Sequence, residues 1–174
     1  GTGNTFIGSG AGDKSTTGKE NIAIGLDAMG LGVTANASET YGMYNVAIGS
    51  GAGYDLTTGE SNILLGHGAG KNFTDNHNNI VMGFNAMDGA TGGEHRNIAI
   101  GCNALGVENS NAAYCVAIGD QALKLQDADV KNTAIGGLAG DAITGGTQNT
   151  YVGYMAGSAS VGTHNNTALG HQAY

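Results

Sequence analysis

One pentapeptide pattern, Asn-x-x-apolar-Gly, recurs ten times in 174 residues and leaves the chain few ways to fold. Its copies start at Asn4, Asn21, Asn45, Asn62, Asn79, Asn97, Cys115, Asn132, Asn149 and Asn166, with Cys115 once in place of Asn. The steps are 17 residues, apart from 24 after Asn21 and 18 after Asn79 and Asn97. A short fixed period means a stack of like units, each burying its apolar surface on its neighbours. Counting from the Asn as position one, the columns of this stack can be read separately.

The fifth position is Gly in all ten copies, Gly25 and Gly101 among them, which asks for a positive φ or a close backbone approach at a corner. The eighth is always Ala, as at Ala28 and Ala104, and implies a tight internal contact. The fourth is apolar throughout, as at Ile24 and Ile100, and is expected to be the core column. The second, two residues back on the same strand face, is Ile, Val or Thr in every copy. Alternation with period two, closed by Gly, reads as a short strand, because a helix would carry ten interior Gly at ~1 kcal/mol each. Turn-rich stretches such as Ser15-Thr16-Thr17-Gly18 and Ile143-Thr144-Gly145-Gly146 complete the unit. The expected fold is all-β: a parallel β-solenoid of about ten rungs. Strands at ~4.8 Å spacing would make a rod roughly 48 Å long, with the column that contains Asn21 and Asn97 forming a ladder of side-chain amides.

Composition sharpens this picture. There are 33 Gly, no Pro, no Trp and three Phe, so the core must be thin and made of small residues. Two or three inward apolar groups per rung would barely close a core, so three chains sharing an axis are expected, with a thin Ala-filled monomer as the alternative. The chain begins and ends inside the repeat pattern and shows no polar capping unit, so residues 1–174 are expected to be one repeat domain, a segment of a longer chain.

The segments Asn21-Ile22-Ala23-Ile24-Gly25, Asn45-Val46-Ala47-Ile48-Gly49 and Asn97-Ile98-Ala99-Ile100-Gly101 resemble the repeat in the head of trimeric autotransporter adhesins, a left-handed parallel β-roll. Asn132 to Ala139 and Asn166 to Ala173 are similar to Asn-Thr-Ala-Ile-Gly-x-x-Ala repeats of phage tail-fibre-like and bacterial surface proteins, which often end in an intramolecular chaperone domain. The repeat here is longer than that of the adhesin head. The resemblance implies an extracellular, homotrimeric fibre.

Catalytic and metal chemistry have little to stand on. The fourteen acids fill no single column, which favours solvated loop charges over a paired-carboxylate site. His67 and His171 share the sixth position without a His in an adjacent rung of that column, so a non-ligand role is preferred to a three-His metal site on an axis. Cys102 and Cys115 occupy different columns and are read as thiols. No cofactor is expected. A net charge of −8 with six scattered Lys and Arg disfavours nucleic acid. No apolar run approaches the ~18 residues of a membrane span, so no membrane contact by this segment is expected.

The 24-residue unit inserts seven residues somewhere within 34–44. Its Tyr41 and Tyr44 suit carbohydrate or protein contact, against the alternative of a spacer loop whose Tyr cover exposed core. The expected function is a structural fibre or adhesin segment that displays or forms a receptor-binding surface on a virion or cell, meeting a host-surface glycan or protein. The alternatives are a surface- or ice-binding solenoid, which needs a regular Thr column, and a polysaccharide-degrading β-helix.

Overall fold

The structure, a computed structural model, describes residues 1–31, 42–107, 112–127 and 131–174. Each repeat supplies one three-residue strand: β1 (Thr5–Ile7), β2 (Ile22–Ile24), β3 (Val46–Ile48), β4 (Ile63–Leu65), β5 (Ile80–Met82), β6 (Ile98–Ile100), β7 (Val116–Ile118), β8 (Thr133–Ile135), β9 (Thr150–Val152) and β10 (Thr167–Leu169). They pair in sequence order in one parallel sheet of ten strands. Every pairing joins like repeat positions, Ile22 to Val46 and Ile24 to Ile48 across the 24-residue unit included, so insertions are absorbed outside the strands. The chain is a parallel β-solenoid.

The buried asparagines explain this register. Asn97 Oδ1 accepts the backbone N–H of Cys115 at 2.9 Å, while its Nδ2 donates to the carbonyl of Ala112 at 2.8 Å. Asn21 serves the next rung in the same way, through the N–H of Asn45 and the carbonyl of Gly42. Amide-to-amide bonds continue the ladder, for example from Asn62 Nδ2 to Asn45 Oδ1 at 3.0 Å. Each such residue is buried, so losing its amide would orphan a donor and an acceptor, each costing about 1–3 kcal/mol. At Cys115 the ladder is broken and patched: Gln126, also buried, donates to Cys115 Sγ at 3.1 Å and accepts from Asn132 Nδ2 at 2.9 Å.

Because the asparagines point inward, the alternation of a strand dictates which other columns do. The third position is the internal one: Ala23, Ala47, Leu64, Val81, Ala99, Ala117, Ala134 and Tyr151 are fully buried. The fourth position therefore faces out, which reverses the sequence expectation. Ile24 and Ile100 are half-buried on the outer face of the sheet, and Ile48 and Ile135 are each 39% exposed. A one-residue change of phase moves a whole column to the other face, and the sequence reading had the two faces exchanged.

The core closes within one chain by exchange of bulk between the third and ninth positions. Phe6 lies opposite Gly12 and Tyr151 opposite Gly157, and a Cβ on either glycine would sit 2.6 Å from the ring. Conversely, Ala23, Ala99 and Ala117 are matched by buried Met29, Leu105 and Leu123. The eighth-position alanines, Ala28 and Ala104 among them, and Leu56, Phe73 and Ile143 at the twelfth position complete the interior. Shortage of core is thus no reason for a second chain.

The corner after each strand is made by the invariant glycines, whose φ is +134° at Gly25 and +138° at Gly101. A Cβ on Gly101 would run into the carbonyl oxygen of Gly119 in the next rung. Beyond the corner the chain forms a ribbon of turns, itself laddered between rungs: Asp27 N–H donates to Ser9 O at 2.9 Å and Met29 N–H to Ala52 O at 3.0 Å. Gly101→Val is expected to lower stability by roughly 2 kcal/mol or more through backbone strain and lost pairing. Gly145→Ala, where an added Cβ meets nothing within 4 Å among the described residues, should stay within about 0.5 kcal/mol of the parent. Thermal melts of the pair check this, and similar melts for both would remove the corner role.

Candidate functional site

The outward turn of the second and fourth columns creates the most conspicuous surface of the molecule. The second positions hold Ile, Val and four Thr, and the fourth positions are aliphatic in every rung, so none of these twenty residues carries a charge. Ile22, Ile63, Ile80 and Met82 are each 37–39% exposed, because neighbours in the ladder cover their flanks and leave their tips in solvent. Parallel strands at ~4.8 Å make this a strip roughly 10 Å wide and 43 Å long, an apolar patch of the size that marks interaction surfaces. Sequence reasoning saw both columns and their shared face but assigned them to the interior.

Polar and aromatic columns border the strip. On one side, at the sixth position beyond the corner glycine, His67 stacks on Phe84 with ring centroids 5.2 Å apart, and Tyr154 stacks on His171 at 5.5 Å. The sixth-position histidines are thus ring partners in aromatic ladders. On the other side, the residues preceding the asparagines are left-handed and exposed: Tyr44 has φ +60° and is 52% exposed, and the Arg96 guanidinium lies 5.6 Å over the Tyr114 ring. Tyr41, the second candidate contact residue, lies outside the described residues. Tyr44 stands in that column between Glu20 and Ser61 of the adjacent rungs, an exposed ring at the edge of the strip.

Two residues before the asparagines, His77 and His95 stack in adjacent rungs at 5.1 Å, beside a depression that also touches Glu60, Asn78 and Arg96. The 18-residue step from Asn79 to Asn97 keeps them in one column, and counting back from the asparagines would have found the pair. The Glu60 N–H donates to His77 Nδ1 at 3.1 Å. Among the described residues no group of three His, Cys, Asp or Glu is placed to hold a metal ion, and Cys102 and Cys115 form no disulfide. No described helix is long and apolar enough to cross a membrane.

Burial lowers the pKa of His95 below the usual 6.5, and His77 beside it and Arg96 act in the same direction, against Asp75 and the bond to the Glu94 backbone. Below pH 6.5 this imidazole therefore binds more proton in the unfolded chain than in the folded one, so its contribution to stability falls as pH drops from that value through the lowered folded pKa. His95→Gln is expected to flatten this part of the profile. Denaturant melts from pH 7.5 down to about 4.5 measure it, and an unchanged slope in the variant would assign the pH dependence elsewhere.

Comparison with protein-family models, with curated proteins and with solved structures finds no match to this chain.

Proposed function

We propose that this chain is a rigid segment of an extracellular fibre or adhesin on a virion or cell, assembled from parallel copies through the apolar strip, and that it displays or forms a receptor-binding surface. The observation that carries the reading is the strip itself. A rod whose core is already closed still carries sixteen outward aliphatic residues, ten in an unbroken fourth column and six in the second, and their tips stay in solvent in the single chain. Turning these columns of each copy toward a common axis, in the same register, buries them against one another, and point symmetry closes the assembly. Three is the copy number that the resemblance to adhesin heads brings. The rung-by-rung register supports the mechanical part of the reading, since rungs are held together by the turn ribbon and by the amide ladder, which Gln126 patches at Cys115.

A surface- or ice-binding role would use the same strip differently, as a regular array of hydroxyls. Thr occurs at the second position only in β1, β8, β9 and β10, separated by six Ile and Val. That irregularity favours assembly. Light scattering on the purified chain at micromolar concentration is expected to give three times the 17.3 kDa of one chain. Ile80→Lys combined with Ile118→Lys should reduce the mass to 17.3 kDa with an unchanged circular-dichroism spectrum, because both side chains reach solvent in the single chain but would become buried charges in the assembly. A parent that runs as a folded monomer overturns the assembly reading, and thermal hysteresis of ice growth in that monomer would support the alternative.

A further inference from the structure

We infer that a notch in the turn ribbon around Gly51 binds a neutral pyranose ring. The inference deepens the fibre reading by naming what the surface recognises, and it depends on that reading only for where the sugar comes from. At the seventh position, side chains lean over the preceding rung where that rung has glycine. The Asp27 carboxylate fills the space that a Cβ on Gly10 would enter, and the Asn85 amide does the same above Gly68. Gly51 and Gly68 are consecutive in this column. No seventh-position side chain therefore covers Gly51, and a Cβ built there meets nothing within 4 Å among the described residues.

The resulting gap is a notch of about 380 Å³, bounded by Asp27, by Ser50 and His67 from the sixth position, and by Tyr54 and Lys71 from the tenth. That volume lies within the range of small-ligand sites, roughly 300–1,000 Å³. Its walls are braced. The Tyr54 ring lies against Gly30 of the preceding rung, where a Cβ would come within 2.6 Å of it. His67 is stacked on Phe84 with 14° between the ring planes.

The lining chemistry suits a sugar better than an anion or an apolar ligand. Hydroxyl groups both donate and accept, and the notch offers an acceptor in Asp27, a donor in Lys71 and groups of either sense in Ser50 and His67. One carboxylate and one ammonium cancel, which leaves no net attraction for phosphate or a carboxylated sugar. Tyr54 supplies the single aromatic plate against which the C–H face of a pyranose can lie. The notch opens to solvent, so the remainder of a glycan can extend outward. It lies past the corner glycines from the strip, so assembly and sugar binding are read independently.

Saturation-transfer NMR on the whole chain tests this with the methyl pyranosides of glucose, galactose, mannose and N-acetylglucosamine, and with anionic N-acetylneuraminic acid. At least one neutral pyranoside is expected to receive saturation on its ring protons. Gly51→Asn should reduce that signal at least tenfold without lowering the melting temperature. Gly51 has φ +66°, and the same column already holds Asn85 at +48° and Asn103 at +50°. Tyr54→Ala should lose the signal too, whereas Tyr154→Ala, at an exposed ring in other rungs, should keep it. No transfer to any neutral sugar, preference for the anionic one, or transfer that survives Gly51→Asn would overturn the assignment. Transfer to a chain that scatters as a monomer would uphold the notch and remove the fibre, and a trimer without transfer would do the reverse.

Discussion

Every other feature of this solenoid follows from the buried asparagine amide. A carboxamide carries an acceptor and two donors on one rigid plane, and here each spans the gap to the next rung by meeting one backbone N–H and one backbone carbonyl there. Only one vertical spacing and one lateral register satisfy both at once. The 24-residue unit shows how strong the constraint is, since Asn45 still docks on Asn21 and the flanking strands still pair without slip. The one gap in the ladder supports the same conclusion. Where Cys115 replaces Asn, a second buried carboxamide, Gln126, enters from the twelfth position and reaches Asn132. Such a patch is expected where an unsatisfied polar group in the interior costs more than a side chain's entropy.

With register fixed, packing becomes a problem within columns. The interior has room for little more than one large side chain at the third and ninth positions of a rung together, so in most rungs bulk at one is met by Gly or Ala at the other, Val81 with Met87 being an exception. Tyr151 with Gly157 and Ala99 with Leu105 are the two senses of that exchange. The ninth position also has a backbone requirement, because it is left-handed in every rung, with φ +49° at Met29 and +53° at Leu105. A non-glycine residue there costs on the order of 1–2 kcal/mol. Burial of a whole Met or Leu side chain, roughly 1.5–3 kcal/mol, offsets it. Gly is used where a side chain of the same or a neighbouring rung already fills the space, as Tyr151 does at Gly157 and Leu64 at Gly53.

The repeat, its parallel sheet, the corner glycines and the amide ladder were all legible in the sequence, because each depends on a residue type whose chemistry admits few alternatives. The inside and the outside were not. Ile24 and Ile100 looked like core because aliphatic residues outrank Ala23 and Ala99 in hydrophobicity, and period two cannot by itself say which face is buried. The deciding clue was present: a ladder of polar amides is worth building only in a dry interior, and the third position lies on the same face as the asparagine. The left-handed turns at Met29, Leu105 and Leu123 had no local signature, since nothing about Met or Leu announces positive φ. The notch was hidden for another reason, that two consecutive glycines matter only after the stack places them one above the other.

Strict columns and free columns therefore divide the labour of the molecule. Positions one, three, five, eight and nine face the interior or the corner, and substitution there is limited by an amide bond, a volume or a dihedral angle. Positions two and four are free of those constraints in a single chain, yet they stay aliphatic or Thr in all ten rungs. The proposed assembly would account for that regularity, since a copy presenting the same columns at the same ~4.8 Å repeat acts on all rungs alike. The sixth, seventh and tenth positions vary from rung to rung, from Phe84 to Asp120 and from Tyr54 to Lys71. A uniform partner would not leave such variety. A partner contacting two or three rungs at one place would, and the turn ribbon, held rigid by the ladder beneath it, presents each local combination of side chains at a fixed spacing.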